Sequence, residues 1–122
     1  MDQATLTHSK TLIAADKVKG TTVYNLAGDK LGTVDDLMID KASGRAVYAV
    51  MSFGGFLGMG ENYHPLPWAT LKYDEALGGY VVNLDKKKLE GSPNYASDRD
   101  FEWTPAYGRT VDSYYGVGNY WM

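Results

Sequence analysis

Residues 32–68 read GTVDDLMIDKASGRAVYAVMSFGGFLGMGENYHPLPW, and this stretch decides the fold. It contains two apolar segments, at residues 37–39 and 46–53, which are separated by a turn-forming run at residues 40–44. A glycine-rich loop then leads to a third segment at residues 61–68. Apolar runs that are joined by short turns are typical of strands that follow one another in an antiparallel sheet. The stretch therefore predicts a β-meander.

The second segment, AVYAVMSF at residues 46–53, is apolar on both of the faces that a strand presents. We expect a strand of this kind to be central, with a further element packed on its outer face. The preceding strand has a phase problem, because strict alternation from Leu37 would bury Asp35 and expose Val34. One extra residue at Asp35 or Asp36 returns Val34 to the core, so the sequence predicts a β-bulge there.

Shorter elements complete the predicted sheet. The segment at residues 61–68 contains Pro65 and Pro67, which each remove a donor from the ladder, so it should lie at an edge or at a strand end. The other expected elements are a helical turn at residues 16–19, strands at 21–24 and 80–84, turns at 25–30 and 73–75, and a short helix from the cap Asp85 through Glu90. About five or six short strands in this order predict an all-β fold, a small β-barrel.

The C-terminal part of the chain, residues 96–122, is unusually aromatic and forms what we call the aromatic arm. Eight of the sixteen aromatic residues follow Pro93, which is not typical of a disordered linker. Thr104 is a good N-cap, Pro105 suits the first helical position and Gly116 is a natural stop, so we expect a short helix at residues 106–115.

The aromatic arm is expected to cover apolar barrel surface. Strand alternation predicts that Tyr48, Val50 and Tyr80 lie outside the core, and the arm offers a matching set of rings. Residues 91–97 could act as a hinge that sends the arm to its own barrel or to a neighbour's. The candidate partner surface consists of Phe56, Leu57 and Met59 in the glycine-rich loop, together with Trp103, Tyr107, Tyr114, Tyr115 and Trp121 in the arm.

Three runs of sequence in combination resemble the PRC-barrel family: KGTTVYNLAGDKLGTVDDLMIDKASGRAVYAVMSF at residues 19–53, GGFLGMGENYHPLPWATLKYD at 54–74 and GGYVVNLDKKKLEGSP at 78–93. This family includes the barrel of the photosynthetic reaction centre H subunit and the C-terminal domain of a ribosome maturation factor. The resemblance implies an SH3-like barrel with a binding or assembly role. We expect the chain to have neither the transmembrane helix of the first relative nor the N-terminal barrel of the second, so neither specific function is carried over.

These observations divide the chain into a flexible N-terminal arm at residues 1–11, a PRC-barrel domain at 12–95 and the aromatic arm at 96–122. The 122 residues carry a formal net charge of -3, and the tail has few basic residues, so no nucleic-acid partner is expected. No run is long and apolar enough to span a bilayer, and no signal peptide is visible, so we expect a cytoplasmic protein without an integral membrane segment.

Candidate chemical groups are few, and we expect no catalytic, cofactor or metal site. His64 with the nearby Glu61 could handle protons, although a structural histidine on a strand is the simpler interpretation. The carboxyl groups of Asp35, Asp36 and Asp40 lack the spacing of a calcium loop. The glycines of the loop are followed by Glu61 and two prolines rather than by a helix N-terminus, which disfavours phosphate binding.

Two functional hypotheses follow from the sequence. The first is a non-enzymatic protein-interaction or assembly module of the PRC-barrel type, with a protein partner and a homodimeric state expected. The second is a small-molecule or proton-handling protein that uses His64 and Glu61 and is related to the reaction centre H subunit barrel. A cleft at His64 would distinguish the second hypothesis from the first.

Overall fold

A computed structural model of the chain describes residues 11–53, 62–97, 100–118 and Trp121. Its strands are β1 (Thr22–Tyr24), β2 (Lys30–Ile39), β3 (Ala46–Phe53), β4 (Asn62–Pro67), β5 (Lys72–Asp74), β6 (Gly79–Val81) and β7 (Tyr95–Ala96). Its helices are α1 (Ala15–Val18), α2 (Lys86–Glu90) and α3 (Pro105–Tyr115), with a single 3-10 turn at Trp68–Thr70. The N-terminal arm predicted at residues 1–11 lies almost entirely outside the described residues.

The seven strands form one sheet in the order β5-β6-β1-β2-β3-β4-β7, with the two-faced strand β3 between β2 and β4. Neighbouring strands are antiparallel, except that β1 and β6 pair in parallel with Val23 opposite Tyr80. The predicted fold class, a strand-rich domain with a short C-terminal helix, is confirmed. The sheet has more strands than expected, and within the described residues its ladder ends at β5 and β7 instead of closing.

The predicted bulge in β2 is present. Val34 lies opposite Met51 and Asp36 lies opposite Val50, so Asp35 is the extra residue between two consecutive pairs. Val34 is fully buried as a result. The bulge therefore lets the strand keep an aliphatic side chain in the core without burying a carboxyl group.

One local prediction was wrong. The turn expected at residues 73–75 is shifted along the chain, because Lys72–Asp74 is a strand that pairs with β6. Asp74 begins the turn instead, and its side chain accepts a hydrogen bond from the backbone N–H of Leu77 at 3.0 Å. The prediction that the proline-containing segment lies at an edge or at a strand end agrees with the structure. Pro67 is the last residue of β4, and the described pairing with β7 involves Asn62 and Tyr63, not the prolines.

Tyr80 was assigned to the wrong side of the sheet. Tyr80, Val82 and Leu84 are spaced two apart, so alternation places them on one face, and Tyr80 is 3% exposed in the main core. Its ring makes edge-to-face contacts with the rings of Trp68 and Tyr73, and the distances between centroids are 5.4 Å and 5.2 Å. Tyr80 therefore needs no cover from the aromatic arm.

The helix ends agree with the sequence signals. The Thr104 side chain accepts a hydrogen bond from Tyr107 N at 3.1 Å, Pro105 is the first residue of α3, and Gly116 ends the helix with a left-handed φ of 67°. In α2, the Asp85 side chain accepts a hydrogen bond from Lys88 N at 2.7 Å. Local capping chemistry thus sets where both helices begin.

The middle of β3 is buried on both faces, as its sequence predicts. Ala49 and Met51 belong to the main core, whereas Tyr48 and Val50, which alternate with them, are each 1% exposed on the opposite face. α3 packs against the neighbouring strand β4. The arm therefore lies over the outer face of the sheet, and its contacts there centre on Tyr48.

Candidate functional site

The hydroxyl group of Tyr48 links the outer face of the sheet to the aromatic arm. It lies 2.9 Å from Asp112 Oδ1, 3.3 Å from the carbonyl oxygen of Gly108 and 2.8 Å from Nε1 of Trp121. A phenol has one proton to donate, and the indole N–H can only donate. Tyr48 therefore accepts from Trp121, and the shorter distance favours donation to Asp112.

The side chain of Trp121 packs on a glycine of α3, and its indole N–H donates to Tyr48 from there. Gly108 is buried, and a Cβ atom added there would overlap the indole ring of Trp121. A glycine within a helix normally weakens it, so its presence indicates a packing requirement. Because Gly108 has no side chain, the indole ring can pack directly against α3 at this position.

Other aromatic rings extend this arrangement away from Tyr48. The Trp103 ring lies 5.0 Å from that of Tyr48, and Tyr107 meets Trp103 edge-on at 5.3 Å between centroids. The rings of Tyr95 and Phe101 are stacked at 4.1 Å with an angle of 4° between their planes. The strand residue Tyr95 is thus held among arm residues, which ties the start of the arm to β4 through β7.

A cleft of about 420 Å³ opens at one side of the arm. Its lining combines the β2–β3 turn, the corner after β4 and the segment that follows α3: Asp40, Ser43, Arg45, Ala46, Val47, Pro67, Trp68, Ala69, Asp112, Val117 and Gly118. Most of these side chains are apolar, while Arg45 is an exposed cation in the lining. A volume of this size is within the range of pockets that bind small molecules.

A smaller hollow of about 80 Å³ adjoins this cleft, because Asp40 and Val47 line both. Its other lining residues are Met38, Ile39, Tyr48, Trp103 and Trp121. Ile39 is 47% exposed, which is unusual for an isoleucine in a strand. The cleft and the hollow together form what we call the outer groove.

His64 is a buried, hydrogen-bonded residue of β4. It is 4% exposed, and its Nδ1 lies 2.8 Å from the Ser92 hydroxyl, which itself donates to the carbonyl oxygen of Leu89 at 2.6 Å. Because the serine proton is used in that bond, His64 Nδ1 carries a proton and is the donor. Neither the cleft nor the hollow is lined by His64.

Burial changes the titration of several groups. It lowers the pKa of His64 below the usual 6.5, and a backbone hydrogen bond with Leu89 offsets part of the shift. Burial also raises the pKa of Tyr107 well above 10 and the pKa of Tyr115 to about 12. Neither phenol oxygen makes a hydrogen bond, and the Ser92 hydroxyl is engaged with His64 and Leu89 instead of Tyr115.

The candidate partner residues in the arm divide into two groups. Trp103, Tyr107 and Trp121 belong to the arrangement around Tyr48. Further along α3, the Tyr114 hydroxyl donates to the carbonyl oxygen of Lys88, and Tyr115 packs against the main core. Phe56, Leu57 and Met59, as well as Glu61, lie outside the described residues.

The connection expected to serve as a hinge, residues 91–97, is anchored to the barrel. Ser92 is buried and bonded to His64, and Asn62 Nδ2 donates to Asn94 Oδ1 at 2.8 Å. Asn94 Nδ2 also donates to the carbonyl oxygen of Ser92 at 2.8 Å. The first half of the predicted hinge is therefore a fixed connector.

Sequence reasoning missed the roles of Asp112 and Gly108, and of the Tyr48 hydroxyl. Asp112 reads as an ordinary polar residue of an amphipathic helix, yet it is 3% exposed. Gly108 did give a signal, since it interrupts a helical pattern. No local pattern could have paired either residue with a tyrosine 60 or more positions earlier.

The described residues show neither a metal-binding cluster nor a membrane-spanning helix. Across residues 11–53, 62–97, 100–118 and 121, no three His, Asp or Glu residues are grouped so that they could hold a metal ion. Among the helices of that part, none has the length and apolar character needed to cross a bilayer.

Comparison with known proteins identifies the barrel. The family model described as PRC-barrel domain matches residues 10–89. A protein of Deinococcus radiodurans described as an uncharacterized protein is 28% identical over 82 residues. That match covers 67% of this chain but 29% of the relative, so the chain spans less than a third of the relative's length.

Proposed function

Since the chain belongs to the PRC-barrel family, we propose that it is a non-enzymatic module that binds another protein through the outer groove and that it forms a homodimer. The observation that carries this proposal is the cleft of about 420 Å³ between the β2–β3 turn and the aromatic arm. Its apolar lining suits the side chains of a partner segment, and Arg45 suits a carboxyl or carbonyl group beside them.

The polar groups near the groove support a binding role over a catalytic one. Asp40 Oδ1 accepts hydrogen bonds from the backbone N–H groups of Ala42 at 2.9 Å and Ser43 at 2.8 Å, so it holds a turn. Asp112 accepts from Tyr48, and His64 lies outside the groove. A catalytic constellation would need a nucleophile and a base in contact within a cavity.

The test is an unbiased affinity capture with the full chain and two arginine variants. Ala69→Arg places a long side chain in the wall of the cleft from an exposed position, so the fold should tolerate it. Ala76→Arg is the matched control, since Ala76 is exposed in the β5–β6 turn and does not line the cleft.

A partner that is retained by the wild-type chain and by Ala76→Arg, and lost with Ala69→Arg, is the expected result. Light scattering at micromolar concentration should give twice the mass of one chain. A partner that binds Ala69→Arg equally well would remove the groove from the proposal, and a monomeric mass would remove the homodimer.

A further inference from the structure

We propose that the outer face of the sheet carries a binding site for a tryptophan side chain, which Trp121 fills within the chain and which a tryptophan of a protein partner can take instead. This inference rests on the proposed role as a protein-binding module and names the chemistry of the partner segment. It is carried by three features of the site: its acceptor, its space and its position.

The acceptor is the hydroxyl oxygen of Tyr48. This residue is 1% exposed, and its proton is directed to Asp112 Oδ1 at 2.9 Å, which leaves an oxygen lone pair for an incoming donor. Trp121 Nε1 fills that position at 2.8 Å. An indole N–H donates to this oxygen, whereas a ring of the same shape without the N–H cannot make that hydrogen bond.

The space is provided by Gly108. The three atoms that a Cβ at this position would meet first all belong to the Trp121 indole: Nε1, Cε2 and Cδ1. The ring of Trp103 and the side chains of Met38, Ile39 and Val47 line the adjoining hollow. The site is therefore shaped for a flat ring whose N–H edge faces Tyr48.

The position of the site allows exchange of its occupant. Trp121 lies beyond the end of α3, so its ring can leave without unwinding that helix, and it is only partly buried. The hollow beside it shares Asp40 and Val47 with the cleft. A partner segment that lies in the cleft can thus bring a tryptophan directly to the site.

The tethered Trp121 competes with any external tryptophan. A side chain on a short tether acts at an effective concentration in the millimolar range, so a free ligand binds the wild-type chain much more weakly than a chain whose site is empty. Removal of the Trp121 ring should reveal the intrinsic affinity of the site.

The experiment uses the full-length Trp121→Ala variant and three probes: N-acetyl-tryptophanamide, indole and 1-methylindole. We expect N-acetyl-tryptophanamide and indole to raise the melting temperature of this variant in a concentration-dependent way. 1-Methylindole should bind about tenfold more weakly or worse, because it cannot donate to Tyr48. The wild-type chain should also bind each probe at least about tenfold more weakly than the variant.

The matched control is the double variant Gly108→Ala, Trp121→Ala. With the indole removed, the atoms that a Cβ at Gly108 would overlap are gone, so this variant should fold. Its methyl group occupies the place of the ring, so binding of N-acetyl-tryptophanamide should be lost.

A second measurement keeps the proposal testable if Trp121→Ala does not fold. The chain has three tryptophans, so labelling with 5-fluorotryptophan gives three fluorine resonances, and Trp121→Phe assigns one of them. N-acetyl-tryptophanamide at high concentration should shift the Trp121 resonance of the wild-type chain more than those of Trp68 and Trp103.

Three results would overturn the inference: no binding of any probe to Trp121→Ala together with an unmoved Trp121 resonance, equal binding of 1-methylindole, or binding of indole without N-acetyl-tryptophanamide. The last result would mean that the site admits a free ring but not one carried by a peptide. If the probes fail while a partner still depends on Ala69, only the tryptophan site falls and the protein-binding proposal stands.

Discussion

The hydroxyl oxygen of Tyr48 on the central strand lies 2.8 Å from the indole nitrogen of Trp121, a residue 73 positions later in the chain. The same oxygen lies 2.9 Å from Asp112 of α3. One buried phenol therefore connects the sheet, the helix and the segment beyond the helix.

Replacement of Tyr48 by phenylalanine should destabilise the protein by about 1–3 kcal/mol, because it leaves the Trp121 N–H and the Asp112 side chain without this buried partner. Urea denaturation followed by circular dichroism measures the change. Tyr73→Phe is the control, since Tyr73 is 41% exposed and should be within about 0.5 kcal/mol of the wild type. Equal stability of the two variants would mean that the Tyr48 hydroxyl contributes nothing.

Gly108→Ala in the otherwise wild-type chain should also be destabilising, by about 1–3 kcal/mol, although alanine is normally the better helix former. The reason is the overlap between the new methyl group and the Trp121 ring. Gly118→Ala provides the comparison, because a Cβ there would have open space and no strained φ. A stabilised Gly108→Ala variant would contradict the observed position of the ring.

Tyr107→Phe should have the opposite outcome to Tyr48→Phe. The Tyr107 hydroxyl is buried without a hydrogen bond, so its removal should leave stability unchanged or increase it by about 1–2 kcal/mol. Denaturation at neutral pH gives the comparison. Tyrosine ionisation, followed by absorbance at high pH, gives a second check. Because burial raises the pKa of Tyr107, the wild-type chain should have one tyrosine that ionises at high pH and that the variant lacks. A loss of stability similar to that of Tyr48→Phe would indicate an unrecognised partner.

The free energy of unfolding should fall as the pH is lowered below 6.5, the ordinary pKa of histidine. Burial lowers the pKa of His64 in the folded chain below its unfolded value of 6.5, so the unfolded state binds the proton first. The contribution of neutral His64 is therefore complete above 6.5 and is lost as the pH falls through the folded-state pKa. His64→Gln should show a shallower decrease between pH 7 and 5 in denaturation series, and an unchanged slope would exclude His64 as the source.

Features that depend on a few neighbouring residues could be read from the sequence. The bulge at Asp35, the N-caps Asp85 and Thr104 and the stop at Gly116 all follow from alternation, capping or a left-handed φ. These features depend on the local backbone, and no distant partner is needed to specify them. The two-faced burial of β3 belongs with them, because its apolar pattern already required a cover on the outer side.

Features that join distant residues were decided by the tertiary structure. The parallel pairing of β1 with β6, the anchoring of Ser92 by His64 and the contact of Tyr48 with Trp121 connect positions 28 to 73 residues apart. Alternation states that Tyr48 faces away from the core, but only the packed chain determines which helix residue and which ring meet its hydroxyl. The physical reason is that such contacts form only when distant segments of the chain are brought together. A residue pattern specifies which face of a strand or helix is covered, but it does not specify the partner that covers it.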